Sequence, residues 1–173
     1  MATTVNLPDV LTGSRLLLGP VFVVVYPASP VGGFVIACAA AGTDFLDGRL
    51  ARRLGSGSSR GAALDVVGDA VFVLCGLAAL AWSGVISLAL PVAAAVSLLA
   101  LARAWSGESG APVVAERGPA DVLGHAAGIL NYGAVLVGSG FVAFGIAIPL
   151  GAASVLVALV NVAPIIVRAR GAR

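Results

Sequence analysis

Charge divides this 173-residue chain into segments more sharply than any other property. Asp9 and Arg15 form a first charged island, Asp44 to Asp69 a second, Arg103 to Asp121 a third and Arg168 to Arg173 a fourth. Between the islands lie runs of 28, 33 and 46 residues without an Asp, Glu, Lys or Arg. A helix needs about 20 residues to cross the hydrocarbon core of a bilayer, so each run suits a hairpin that crosses and returns. Uncharged breakers stand inside the runs, at Pro27-Ala28-Ser29-Pro30, Ser83-Gly84 and Phe144-Gly145. The pattern predicts an all-α, polytopic membrane protein with six transmembrane helices, over 9–26, 31–54, 61–82, 85–105, 120–143 and 146–168.

Only 10% of the residues are charged, where a soluble domain carries about 25%. With 60% apolar residues and a mean hydropathy of +1.07, a soluble globular protein is excluded. The first 14 residues contain no basic side chain, so a secretory signal is not expected. All ten basic residues are Arg, and the hairpin reading puts every one on the same face. By the positive-inside rule that face is cytoplasmic, which makes the chain a multi-pass protein of the cell membrane with both termini in the cytoplasm. With no repeat or linker, residues 1–173 read as a single integral-membrane catalytic domain. A net charge of +2 gives no footing for nucleic acid. Cys38 and Cys75 read as small buried hydrophobes. Gly124-x-x-x-Gly128 has the small-residue spacing that lets membrane helices approach closely, and is compatible with a homodimer.

Four of the eight carboxylates fall within 26 residues: Asp44, Asp47, Asp65 and Asp69. Asp44 and Asp47 are three apart on the second expected helix and share a face; Asp65 and Asp69, four apart on the third, do likewise. The short Gly- and Ser-rich stretch between the helices predicts an antiparallel pair in which the two sets of carboxylates face each other. Acidic groups beside hydrocarbon need a compensating cation. An all-oxygen set with no Cys or His nearby suits Mg²⁺, Mn²⁺ or Ca²⁺ rather than Zn²⁺ or copper. Balancing four negative charges takes two divalent ions, an arrangement that recurs in displacement at phosphorus. Gly48 and Gly61 leave room beside the carboxylates for a phosphate-bearing ligand. Arg49, Arg52, Arg53 and Arg60 supply guanidinium groups matched to phosphate oxygens.

The whole run, Asp44-x-x-Asp47-Gly48-x-x-Ala51-Arg52-x(8)-Gly61-x-x-x-Asp65-x-x-x-Asp69, resembles the signature of the CDP-alcohol phosphotransferase family, with all eight signature residues present. Members displace CMP from a CDP-linked alcohol with the hydroxyl of a second alcohol, using divalent metal. The resemblance implies that Asp44, Asp47, Asp65 and Asp69 hold two Mg²⁺ or Mn²⁺ ions at the cytoplasmic end of helices two and three. It implies that Asp69 is also the general base, and that Gly48, Ala51, Arg52 and Gly61 line the cytidine diphosphate.

The opening run Asn6-Leu7-Pro8-Asp9-Val10-Leu11-Thr12-Gly13-Ser14-Arg15 resembles the start of phosphatidylglycerophosphate synthases within that family. Asp9 stands where that group has Asn, and either residue can cap a helix start. This resemblance implies a phosphorylated acceptor, glycerol 3-phosphate first, with an inositol phosphate or serine as alternatives. The donor is a CDP-linked lipid, CDP-diacylglycerol or CDP-archaeol. Arg15, Arg103, Arg117 and Arg168, all on the active-site face, are the candidate acceptor-phosphate ligands. The segment Glu116-Arg117-Gly118-Pro119-Ala120-Asp121 departs from the Lys-containing stretch of glycerophosphate-type members. His125, Asn131 and Asn161 read as interhelical hydrogen-bonding groups before ligands. A divalent-cation transporter is the alternative from another class, since intramembrane carboxylates also mark ion paths.

Overall fold

The computed structural model describes residues 7–54, 59–106, 119–146 and 150–171, with side chains over 13–46, 66–103, 122–146 and 150–170. The described residues form six helices: α1 (Leu7–Val25), α2 (Pro30–Leu54), α3 (Ser59–Trp82), α4 (Ala89–Ser106), α5 (Pro119–Ala143) and α6 (Leu150–Gly171). The helices stop where the breakers stand. Gly84 and Gly145 adopt φ of 74° and 68°. Around Gly84, the N–H of Val85 donates to the Leu80 carbonyl (2.9 Å) and that of Gly84 to Ala81 (3.0 Å). Around Gly145, Ile146 donates to Phe141 (2.8 Å) and Gly145 to Val142 (3.2 Å). Each is a left-handed C-terminal cap that pairs otherwise orphaned carbonyls without a charged group. At the α1–α2 turn, Ser29 Oγ accepts the N–H of Gly32 at 3.1 Å, with Pro30 at the first helical position.

Two starts differ from expectation. Helix α4 begins at Ala89 rather than residue 85, because Ser87 is its cap: Ser87 Oγ accepts from Ala89 N–H (3.2 Å) and Ser87 carbonyl from Leu90 N–H (3.1 Å). Helix α6 begins at Leu150 rather than residue 146, after the Gly145 cap has turned the chain. Asp9 falls in the first turn of α1, not at its cap, because that helix already starts at Leu7.

Helix α1 lies between α2 and α3 and packs on both, whereas α6 lies between α4 and α5. The two groups join through α2 and α3 against α5, and α3 against α4. The approach of α1 to α3 is backbone-close: a Cβ on Gly19 would stand 3.1 Å from Phe72 Cα and 3.3 Å from the Val71 carbonyl oxygen. An aromatic row crosses the bundle there. Tyr26 stacks on Phe22 (5.1 Å), Phe22 meets Phe72 edge-on (6.1 Å), and Phe72 meets Tyr132 (5.5 Å). Leu77, Leu80, Leu90 and Val135 are fully buried around it.

The second group is tied by polar links. Asn131 and Asn161 exchange side-chain hydrogen bonds of 2.8 and 2.9 Å between α5 and α6. Ser97 Oγ donates to the Asn161 carbonyl, and Ser87 N–H donates to Ser154 Oγ at 2.9 Å. The reading of Asn131 and Asn161 as interhelical groups therefore holds, and they bond each other.

Outside this core the helices present large apolar side chains, among them Leu17, Val24, Val35, Leu99, Ile129, Leu156 and Leu159. Among the described residues two helical segments, Val122–Ala143 and Leu150–Arg170, are long and apolar enough to cross a membrane. The other four helices contain the shorter apolar stretches Gly13–Val25, Pro30–Leu46, Val66–Trp82 and Ala89–Arg103. Cys38 is exposed rather than buried, on an outward face of α2, and Cys75 is partly buried; both are free thiols.

Candidate active site

The start of α1, the end of α2 and the start of α3 meet at one end of the bundle. Helices α1 and α3 run in the same direction, since Arg15 meets Asp69 while Phe22, two turns on, meets Phe72. Helix α2 returns beside them, with its first turns near Tyr26 and Asp44 near Arg15. Three segments distant in sequence are thereby brought to a common point.

Arg15 occupies that point. Its side chain is wholly buried, while those of Asp44 and Asp69 remain 50% and 36% exposed. Its Nη1 donates to Asp44 Oδ1 at 3.0 Å and also to Asp69 Oδ1. The exposures set the direction of the site: the guanidinium backs the cluster from inside, and the carboxylates face its opening. A buried guanidinium is tolerated because it holds two counter-charges with directed hydrogen bonds. Gly19, one turn beyond Arg15, is what lets α1 come near enough to α3 for that reach.

Asp44 of α2 and Asp69 of α3 come to one point, with Arg15 of α1 between them. Among the described residues α1 intervenes, packing against both. Two acidic helix faces repel unless something positive lies between them, and Arg15 supplies that charge. The sequence alone groups Arg15 with the acceptor-binding residues and carries no link between it and the acidic cluster.

Asp47, Gly48, Ala51 and Arg52 lie on α2, and Gly61 and Asp65 on α3, but their side chains fall outside the described residues. Arg117 lies outside them altogether, as does most of the charged segment between α4 and α5. Arg103 and Arg168 are exposed in the last turns of α4 and α6. His125 is exposed on α5. The structure therefore joins Arg15, Asp44 and Asp69, and leaves the convergence of the other Arg residues as an expectation.

Among the described residues no three metal-ligating side chains converge. Two carboxylates from different helices do share one cationic nitrogen, Arg15 Nη1, so they are close enough to share a cation. The donors are oxygen only, and Asp47 and Asp65 lie one turn away on the same two helices. Such a set fits Mg²⁺ or Mn²⁺.

A helical bundle that gathers acidic residues from α2 and α3 around a buried Arg is matched over residues 5–167 by the model of a protein family described as CDP-alcohol phosphatidyltransferase. The chain belongs to that family. It is similar to the CDP-diacylglycerol--glycerol-3-phosphate 3-phosphatidyltransferase of Escherichia coli (strain K12), with 46% identity over 72 residues, 39% of this chain and 40% of the relative. The proteins of that name from Shigella flexneri serotype 5b (strain 8401) and Shigella sonnei (strain Ss046) match at the same identity and coverage. The chain thus matches 40% of the length of these curated relatives.

Proposed function

We propose that the chain is a six-span enzyme of the cytoplasmic membrane that transfers a phosphatidyl-type group from a CDP-linked lipid to glycerol 3-phosphate, releasing CMP. The observation that carries this reading is the Arg15–Asp44–Asp69 junction, in a chain that the family model covers from residue 5 to 167. The name of the bacterial relatives supports glycerol 3-phosphate as acceptor. The apolar outward faces of the helices support the six spans, with the donor's tails remaining in the bilayer. Polar substrates then enter from the cytoplasm at the open side of Asp44 and Asp69.

In this reading Asp44, Asp47, Asp65 and Asp69 hold divalent metal. Bound there, the metal would neutralise the diphosphate and acidify the attacking hydroxyl. Asp69 accepts the proton of that hydroxyl as its oxygen forms a new bond to the lipid-linked phosphorus. The bond from that phosphorus to the CMP oxygen breaks, and CMP leaves. Arg15, pinned behind both carboxylates, fixes the separation of α2 and α3 and so the aim of Asp69. Gly48, Ala51, Arg52 and Gly61 line the cytidine diphosphate; Arg103, Arg117 and Arg168 draw in the acceptor phosphate. Cation transport has less support, because Asn131, Ser139, Ser154 and Asn161, buried beyond the site, are bonded to one another or to backbone.

The test is CMP release by purified protein in detergent, with CDP-diacylglycerol or CDP-archaeol as donor and Mg²⁺ present. Glycerol 3-phosphate, an inositol phosphate and serine are compared as acceptors. Release with glycerol 3-phosphate alone, abolished by chelator and restored by Mg²⁺, is the expected result. Release only with another acceptor reassigns the product, and none with any combination overturns the proposal.

A further inference from the structure

One polar group at this end of the core has no role in the reaction just described. The hydroxyl of Tyr132 on α5 is sealed from solvent and has no hydrogen-bond partner among the described residues. A buried hydroxyl left unpaired disfavours folding, and phenylalanine would fill the same ring space without that penalty. Such a group calls for a specific explanation.

Its placement supplies one. The Tyr132 ring lies 5.5 Å from Phe72, and Phe72 follows Asp69 by one turn of α3. Helices α3 and α5 run in the same direction here, because Gly76 faces Val135 and Leu80 faces Gly138, each about one turn further on. Side chains on a helix lean toward its N-terminus, so the hydroxyl is carried back from Phe72 toward the level of Asp69. It stands in the electrostatic field of Asp69, Asp44 and Arg15. Its position is also held. The neighbouring Asn131 is locked to Asn161 by two hydrogen bonds, and the missing side chain at Gly76 seats Val135 directly against α3.

We propose that Tyr132 is a substrate-binding residue whose phenolic O–H donates a hydrogen bond to a substrate phosphate oxygen at the floor of the Arg15–Asp44–Asp69 site. This inference rests on the proposed phosphatidyl transfer. A phosphate oxygen is a strong acceptor, and a neutral hydroxyl meets it without adding a charge to the acidic cluster. The oxygen can come from the diphosphate of the donor or from the phosphate of the acceptor. Tyr26 provides the contrast. Its hydroxyl is likewise buried without a partner, but it stacks on Phe22 and packs against Gly33 at the far end of α1, away from the carboxylates.

The experiment compares wild type, Tyr132→Phe and Tyr26→Phe in detergent with Mg²⁺. Calorimetric affinities for CDP and for glycerol 3-phosphate are measured alongside melting temperature. The expected result is that Tyr132→Phe weakens one ligand by about tenfold, the effect of one lost hydrogen bond to a charged group. Its melting temperature is expected to be no lower than that of wild type, and Tyr26→Phe should bind as wild type does. Weakened CDP assigns the bond to the donor diphosphate, and weakened glycerol 3-phosphate assigns it to the acceptor. Tyr132→Phe binding both ligands like wild type overturns this inference and leaves phosphatidyl transfer standing. So does a loss of affinity that accompanies a lower melting temperature or recurs in Tyr26→Phe. Wild type that binds neither ligand overturns both proposals.

Discussion

Arg15 Nη1 lies 3.0 Å from Asp44 Oδ1, across 29 positions of sequence, and the same nitrogen donates to Asp69. One guanidinium therefore joins three helices, and its loss leaves two carboxylates facing each other at close range. Replacing Arg15 by Met keeps an unbranched, though shorter, side chain and removes the charge. Because both carboxylates are partly exposed, the destabilisation should be about 1–3 kcal/mol, below the range for removing one partner of a fully buried pair. Thermal unfolding in detergent measures it. Added Mg²⁺ should raise the melting temperature of Arg15→Met more than that of wild type, because the ion takes over the neutralising role. An equal Mg²⁺ effect on both would separate Arg15 from the metal site.

Asp69→Asn keeps the size of the side chain and removes its basicity. If Asp69 accepts the proton of the attacking hydroxyl, turnover should fall by about a hundredfold or more. The initial rate of CMP release is the measurement, and near-normal activity in the variant would remove Asp69 from the mechanism.

Gly19→Val places side-chain atoms against the backbone of α3, where even a Cβ would stand 3.1 Å from Phe72 Cα. Backbone does not yield as a flexible side chain does. The helices should separate at a cost of about 1–3 kcal/mol, typical of overpacking. Arg15 would lose reach of Asp69, so activity should drop even at temperatures where the variant is still folded. A variant with normal stability and normal CMP release would show that the close α1–α3 approach is dispensable.

Asn131 and Asn161 form a closed pair, each donating to the other. Asn161→Leu alone strands the Asn131 amide, and Asn131→Leu leaves Asn161 only its bond to the Val157 carbonyl, each at about 1 kcal/mol or somewhat more. The double substitution strands neither side chain in this way and should destabilise by less than the sum of the two single changes. A double-mutant cycle of melting curves gives the coupling, and strict additivity would mean that the pair contributes nothing as a pair.

Much of the fold was legible because its punctuation is strong. Gly84 and Gly145 were readable as turn residues, and both take the left-handed conformation that ends a helix. The start of α4 lies four residues beyond the expected one because its cap, Ser87, is a small neutral residue, neither a charge nor a helix breaker. The acidic signature announced Asp44 and Asp69, but not what lies between them. That Arg15 fills the gap follows from the packing of α1 on both α2 and α3, and spacing along the chain carries no record of which helices become neighbours. Tyr132 left no signal at all, since its interest arises from a partner that its hydroxyl lacks in three dimensions.

Arg15, Asp44 and Asp69 all belong to the first three helices. A chain made from its N-terminus onward therefore completes this electrostatic junction while α4, α5 and α6 are still to be synthesised. None of the three charges depends on a counter-ion encoded in α4, α5 or α6. The second half of the bundle docks onto a first half whose charges at this junction are already matched.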